Sequence, residues 1–203
     1  LGMQIRRGPG HPRVEAIRKR ATELLSAQVP SYGSFECRGT SLFALKRQPP
    51  NQQPLLVMMS WPDTKLIPER VILDVNTTDP THSTTVDWYV PSPDGRYVAV
   101  SLSSGGSEMG DVHVLDVRSG AQEGQIVTRV QGGTAGGSLA WSGSGEGFYY
   151  TRYPKAGERP EEDLNFFVQV YYHALNADPS TDRYEIGKDF PRIAEIMLET
   201  GTG

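Results

Sequence analysis

One cysteine, Cys37, is present among 203 residues. An internal disulfide framework is thereby excluded, and so is any zinc site needing two thiolates from this chain. Long apolar runs are also missing. The longest uninterrupted one covers residues 55–59, far too short to span a bilayer as a helix. No apolar signal-peptide core lies near the N-terminus. Positive charge is in deficit: 20 Lys and Arg face 24 Asp and Glu, a net charge of −4. That argues against nucleic-acid binding through bulk positive charge, although a local basic patch stays open. Glycine and proline, by contrast, are plentiful. The 22 Gly and 15 Pro suit a turn-rich β protein better than a helical bundle. The 9 Tyr, 6 Phe and 3 Trp, set in alternating runs, argue against disorder.

Only one helix is predicted, over residues 13–28. Val14, Ile17, Ala21, Leu24 and Leu25 recur at offsets of three, four and seven, so they form one apolar stripe on a 3.6-residue period. Pro12 suits its first turn and Pro30 stops it. The stripe requires something to pack against. Arg6, Arg7, Arg13, Arg18, Lys19 and Arg20 face Glu15 alone in the first twenty positions. A solvated basic helix face is preferred here over a transit peptide.

After Pro30 the period changes to two. Strands are predicted over 41–47, 55–60 and 70–75; over 85–90, 96–101, 111–117 and 125–130; and over 137–142, 147–152, 166–175 and 182–186, with a last one over 192–198. They fall into sets of roughly four at a period of about 45 to 50 residues. An internal repeat agrees. Pro91-Ser92-Pro93-Asp94-Gly95-Arg96-Tyr97 is answered 50 residues later by Trp141-Ser142-Gly143-Ser144-Gly145-Glu146-Gly147. Both read as strand, polar glycine turn, aromatic strand, and glycine accepts the positive φ of a tight turn. Four short antiparallel strands at this period are the signature of β-propeller blades.

The fold class expected is therefore all-β: a partial β-propeller of about three four-stranded antiparallel blades plus one strand, preceded by one amphipathic helix. The expected division is 1–30 tail and helix, 31–80 blade 1, 81–132 blade 2, 133–190 blade 3, and 191–203 the first strand of a fourth. A propeller closes at about four to eight blades, and fewer leave open sheet faces and unpaired edges. The chain is accordingly expected to be the N-terminal portion of a longer protein.

Several segments, taken in order, resemble the prolyl oligopeptidase family. Val90-Pro91-Ser92-Pro93-Asp94-Gly95, the run 98–108 and Val112-His113-Val114-Leu115-Asp116-Val117 are similar to its second blade. Gly147-Phe148-Tyr149-Tyr150-Thr151-Arg152-Tyr153-Pro154 and Gln169-Val170-Tyr171-Tyr172-His173-Ala174-Leu175 are similar to its third. Asp189-Phe190-Pro191-Arg192-Ile193-Ala194-Glu195 resembles the lead into the fourth, and Pro30-Ser31-Tyr32-Gly33-Ser34-Phe35 the segment before the first. A lone Ser-Pro-Asp-Gly turn is common to many propellers; the ordered set over residues 13–203 is specific.

The resemblance implies a serine peptidase that joins a seven-bladed propeller to an α/β-hydrolase domain and cuts short peptides after proline. The propeller covers the active site and excludes folded proteins, while nucleophile, acid and base lie in the C-terminal hydrolase domain. From this chain it implies no catalytic residue, no cofactor and no metal. The partners implied are short peptides and the chain's own hydrolase domain, with no nucleic acid and no membrane. A cytoplasmic location is expected, with periplasm or organelle as alternatives. It also implies that an aromatic on the third blade reaches toward the bound peptide. The matching positions are Phe148, Tyr149 and Tyr150. Tyr149 is preferred, because neighbours along a strand face opposite ways; the alternative is that all three pack between sheets. Arg152 is the third contact candidate, through a bidentate grip on a carboxylate, against the alternative of a surface ion pair.

Other signals read as structure. Gly105-Gly106-Ser107-Glu108-Met109 lacks the last glycine of a nucleophile elbow and sits between two strands. His11, His82, His113 and His173 show no metal-binding spacing. Gly132-Gly133-Thr134-Ala135-Gly136-Gly137 precedes a strand rather than the helix a phosphate loop needs, so it reads as a flexible loop between blades. Glu158, Glu161, Glu162 and Asp163 read as a solvated loop, with a contact or gating element as the alternative. Cys37 shows no activating neighbour. Asn76-Thr77-Thr78 is a formal glycosylation sequon. Two other readings of the whole stay open. One is a non-enzymatic propeller that binds proteins. The other is a different branch of the same superfamily, cutting after basic residues or removing acylated residues.

Overall fold

A computed structural model describes residues 13–25, 29–60 and 69–201. Among the described residues twelve strands form three four-stranded antiparallel sheets, each a simple meander in chain order. The first contains β1 (Ser31–Arg38), β2 (Ser41–Arg47), β3 (Leu55–Ser60) and β4 (Arg70–Leu73). The second contains β5 (Thr84–Pro91), β6 (Tyr97–Ser104), β7 (Gly110–Asp116) and β8 (Gln122–Gln131). The third contains β9 (Leu139–Trp141), β10 (Gly147–Arg152), β11 (Gln169–Ala174) and β12 (Arg183–Ile186).

The sheets pack face to face, which makes a partial β-propeller. Side chains alternate across a strand, so β6 serves two cores at once. Val98 and Val100 join Phe43, Leu56, Ile72 and Leu115 between the first and second sheets. Tyr97 and Ala99 join Val112, Leu139, Trp141, Phe148 and Tyr150 between the second and third. A strand buried on both faces has no polar side to show. That is why Tyr97-Val98-Ala99-Val100 is a continuous apolar run rather than an alternation.

The repeated turns match in geometry. Ser92 N donates to Tyr97 O and Gly95 N to Ser92 O, both at 2.9 Å. Ser142 N donates to Gly147 O and Gly145 N to Ser142 O, again at 2.9 Å. Gly95 and Gly145 take φ of 68° and 73°, the left-handed region where a Cβ is penalised.

Three features depart from the sequence reading. β1 was not among the predicted strands. Its ladder slips between Gly33 and Glu36 and Ser34 takes φ 52°, so the two-residue period is broken inside the strand. The strand expected over 192–198 joins no sheet among the described residues. There Leu198 N meets the Ser138 hydroxyl at 2.9 Å and the Thr200 hydroxyl meets Trp141 O at 3.0 Å. A strand needs backbone-to-backbone bonds, and each of these two has a side-chain hydroxyl at one end. A short helix, α2 (Val75–Thr78), follows β4, with Asp74 as its cap accepting from Asn76 N.

The predicted helix is present as α1 (Val14–Leu25). Residues 26–28 and the Leu24 and Leu25 side chains lie outside the description. Ile17, at the centre of the stripe, is 63% exposed. Among the described residues no helix is long and apolar enough to cross a membrane.

Candidate functional site

The third sheet gathers the aromatic residues. β10 reads Gly147-Phe148-Tyr149-Tyr150-Thr151-Arg152, and strand alternation sorts these side chains onto two faces. Phe148, Tyr150 and Arg152 share the face toward the second sheet and are buried. Phe148 sets its edge against Trp141, with ring centroids 5.3 Å apart, and lies 5.1 Å from His173. Tyr149 points the other way and is 36% exposed. Its cross-strand partner is Tyr172, ring centroids 5.0 Å apart, and Arg183 stands 5.3 Å over the Tyr172 ring. Tyr149 and Arg152 therefore do not share one pocket. Phe148 belongs wholly to the core.

Arg152 ends the buried row. Its guanidinium lies 4.2 Å from the ring centroid of Tyr171 on β11, and its Nη1 donates to both oxygens of Glu158 at 3.1 and 3.0 Å. The Arg152 side chain is only 7% exposed and that of Glu158 45%, so the ion pair offered as the alternative is present, with its arginine end buried and its glutamate end at the surface. Burial works against the charge, but Tyr171 and Glu158 outweigh it and raise the Arg152 pKa. Burial likewise opposes ionisation of Glu158. The Lys155 amide, 2.8 Å away, and Arg152 outweigh that and hold its carboxyl below the usual range.

A cleft of about 630 Å³ opens beside this pair, lined by Arg152, Pro154, Glu158, Arg159, Gln169 and Tyr171 among others. The loop between β10 and β11 forms one wall. It is not merely solvated. Glu158 holds Arg152, Asp163 accepts from Arg192 Nε at 2.8 Å, and Arg129 Nη2 donates to Leu164 O at 2.5 Å.

Deeper in the sheet, Asp182 joins two strands. Its Oδ2 accepts from the Tyr150 hydroxyl and its Oδ1 meets His173 Nδ1, both at 2.6 Å. An Asp–His pair is two-thirds of a hydrolase triad, but here the third group is a phenol bound to the same carboxylate. Burial first, then Asp182, pushes the Tyr150 phenol well above its ordinary pKa, so it stays protonated. The arrangement fastens β10, β11 and the turn before β12; it prepares no nucleophile.

The remaining sequence signals take structural places. Ser107 sits in the β6–β7 turn, its hydroxyl on Ser104 O at 2.8 Å. The glycine loop 132–137 joins the second and third sheets, as read. It is wrapped round a hydroxyl rather than left flexible: Tyr153 Oη takes the Ala135 amide and donates to Gly136 O, both at 2.9 Å. His113 Nδ1 meets Gln122 Oε1 at 3.0 Å, His82 is exposed, and His11 lies outside the described residues. Cys37 is exposed on β1. The Asn76 amide nitrogen already donates to Gln53 O at 3.0 Å and Asp74 Oδ1 at 2.9 Å. Among the described residues no group of three or more His, Cys, Asp or Glu could hold a metal ion. Sequence reasoning missed Glu158, Tyr171 and Lys188 as neighbours of Arg152, and Asp182 altogether. The β10–β11 register, which sets Arg152 opposite Gln169, brings in Tyr171, while Glu158 arrives from the loop between these strands and Lys188 from beyond β12.

A sequence profile of the prolyl oligopeptidase N-terminal β-propeller domain matches residues 11–198. The prolyl endopeptidase of Elizabethkingia meningoseptica is 31% identical over 124 residues, 60% of this chain and 17% of that protein. That of Elizabethkingia miricola is 30% identical over the same shares. Among solved structures, one from a study of two prolyl endopeptidases aligns with a TM-score of 0.66 at 19% identity, over 87% of this chain and 28% of the other. Prolyl oligopeptidase B from Galerina marginata, as the apo protein, aligns with a TM-score of 0.66 at 16% identity, over 88% and 26%. At such identities the structural likeness speaks for the fold alone. The matched stretch spans about a sixth of the length of the curated relatives.

Proposed function

The chain belongs to the prolyl oligopeptidase family through its N-terminal β-propeller domain, and from that premise we propose that it is the propeller portion of a serine peptidase hydrolysing short peptides after proline. The observation that carries the reading is the family match over residues 11–198, nearly the whole chain. In this reading the nucleophile, acid and base come from a C-terminal α/β-hydrolase domain, against which the propeller packs. The propeller restricts access, admitting extended peptides and turning folded proteins away. Catalytic chemistry is not its task. The Asp182–His173 pair is consistent with that division, since its remaining oxygen is taken by Tyr150.

Tyr149 is the substrate-contact residue of the propeller in this proposal. A half-exposed aromatic backed by Tyr172 offers a rigid apolar face with a polar tip, suited to a peptide side chain. A cytoplasmic location belongs to the same reading.

The test uses the protein as it occurs in its source, captured with an antibody to this chain. A blocked Gly-Pro amide with a chromogenic leaving group is the substrate. Cleavage after proline, abolished by diisopropyl fluorophosphate, is the expected result. The captured protein should be several times heavier than 22.3 kDa, and the 203-residue chain by itself should cleave nothing. A captured protein that leaves the substrate intact, or cuts the Gly-Ala analogue equally fast, overturns the proposal.

A further inference from the structure

The cleft beside Arg152 carries an unbalanced charge. Arg152, Arg159 and Lys188 line it against the single carboxylate of Glu158. Each cation is seated on an aromatic ring: Arg152 on Tyr171 at 4.2 Å, Arg159 on Phe167 at 3.8 Å and Lys188 on Tyr184 at 4.3 Å. Such seats restrain long side chains while leaving their N–H groups free to donate. Among the described residues neither Arg159 nor Lys188 makes an ion pair. The walls include Pro154, Pro160 and the Tyr171 ring, so a ligand here meets apolar surface as well as charge. At about 630 Å³ the space is that of a small-ligand site rather than a packing defect.

The pair of Arg152 and Glu158 is asymmetric. The arginine side chain is 7% exposed and the glutamate 45%. Removing the glutamate alone would strand a buried charge, which is costly. Exchanging it for another carboxylate keeps the guanidinium paired and avoids that cost. Glu158 also belongs to the β10–β11 loop, outside the strand ladders, so replacing it as the partner of Arg152 breaks no strand pairing.

We propose that this cleft is a carboxylate subsite for the bound peptide, with Glu158 as its resident occupant. The inference rests on the peptide-hydrolysing reading above and adds a substrate preference to it: peptides carrying a carboxylate, at the C-terminus or on an acidic side chain, bind better than neutral ones. Glu158 competes with them for Arg152, while Arg159 and Lys188 draw the carboxylate in.

The test is a calorimetric titration of the full-length protein and its variants. Three probes are compared: acetyl-Ala-Ala-Gly as the free acid, the same peptide as its amide, and acetyl-Ala-Ala-Glu amide. The free acid or the glutamyl amide should bind about tenfold more tightly than the neutral amide, the scale of a charge-assisted hydrogen bond. Whichever of the two binds better identifies the source of the carboxylate. Glu158→Gln should strengthen acid binding by removing the competitor, and Arg159→Gln with Lys188→Gln should abolish the preference. Equal binding of acid and neutral amide, binding of neither, or an unchanged affinity in Glu158→Gln overturns the subsite. None of these outcomes touches the peptidase reading, which stands or falls on proline cleavage by the captured protein.

Discussion

The Tyr150 hydroxyl donates to Asp182 at 2.6 Å, and this bond fastens the turn before β12 to the buried face of the third sheet. Asp182 is 4% exposed at its side chain and has His173 as its other partner. Removing the phenol leaves a buried carboxylate short of a donor. Tyr150→Phe should therefore lower stability by about 1–3 kcal/mol, read from the urea midpoint. Tyr149→Phe, on the other face, should stay within about 0.5 kcal/mol of the parent. Equal effects would mean that the Asp182 bond contributes nothing.

Tyr149 has a second test, in the captured full-length protein. Tyr149→Ala should raise KM by about threefold to tenfold, the worth of one aromatic contact. The kcat should be nearly unchanged, because the residue touches no reacting atom. A fall in kcat at constant KM would remove it from the substrate contacts.

Two glycines of one turn should behave oppositely. A Cβ on Gly147 would lie 2.4 Å from the His173 carbonyl oxygen of the paired strand, a backbone atom that cannot step aside. Gly147→Ala should cost about 1–3 kcal/mol. Gly143 has open space around its Cβ position. Its counterpart in the matching turn is Pro93, held in the same hydrogen-bond frame. Gly143→Pro should stabilise by about 0.4–1 kcal/mol through the unfolded chain, again by urea denaturation.

The same turns predict an acid response. The Ser92 hydroxyl, at 2.6 Å, and then the Arg96 amide, at 3.0 Å, hold the Asp94 carboxyl below its usual range despite partial burial. A depressed folded pKa gives stability that is complete above the unfolded value, about 3.9, and lost as pH falls through the folded value. Ser92→Ala should shift the acid-unfolding midpoint to higher pH. Asp94→Asn should flatten the stability profile below about pH 4. An acid limb unchanged in both variants would place the titrating groups elsewhere.

Much of the fold was legible because its causes are local. β2, β3 and β10 have the bounds the alternation predicts, over 41–47, 55–60 and 147–152. The paired turns were visible through their serines and glycines. β1 was hidden because a bulge breaks its period. The separation of Tyr149 from Phe148 and Tyr150 also followed from alternation, although alternation does not say which face meets a neighbouring sheet.

Strand spacing, turn chemistry and the four-strand repeat depend on residues close together in the chain, and they sufficed to specify a partial propeller, while its prolyl oligopeptidase type came from the resemblance of the ordered segments. The environment of Arg152 depends on residues far from it. Glu158 reaches it over a loop, Tyr171 through the ladder of β11, and Lys188 from beyond β12. Asp182 meets Tyr150 across 32 residues. Burial and pairing of this kind arise only when sheets stack and registers lock, so a one-dimensional pattern of apolar and polar residues contains the strands but not the charges they bring together.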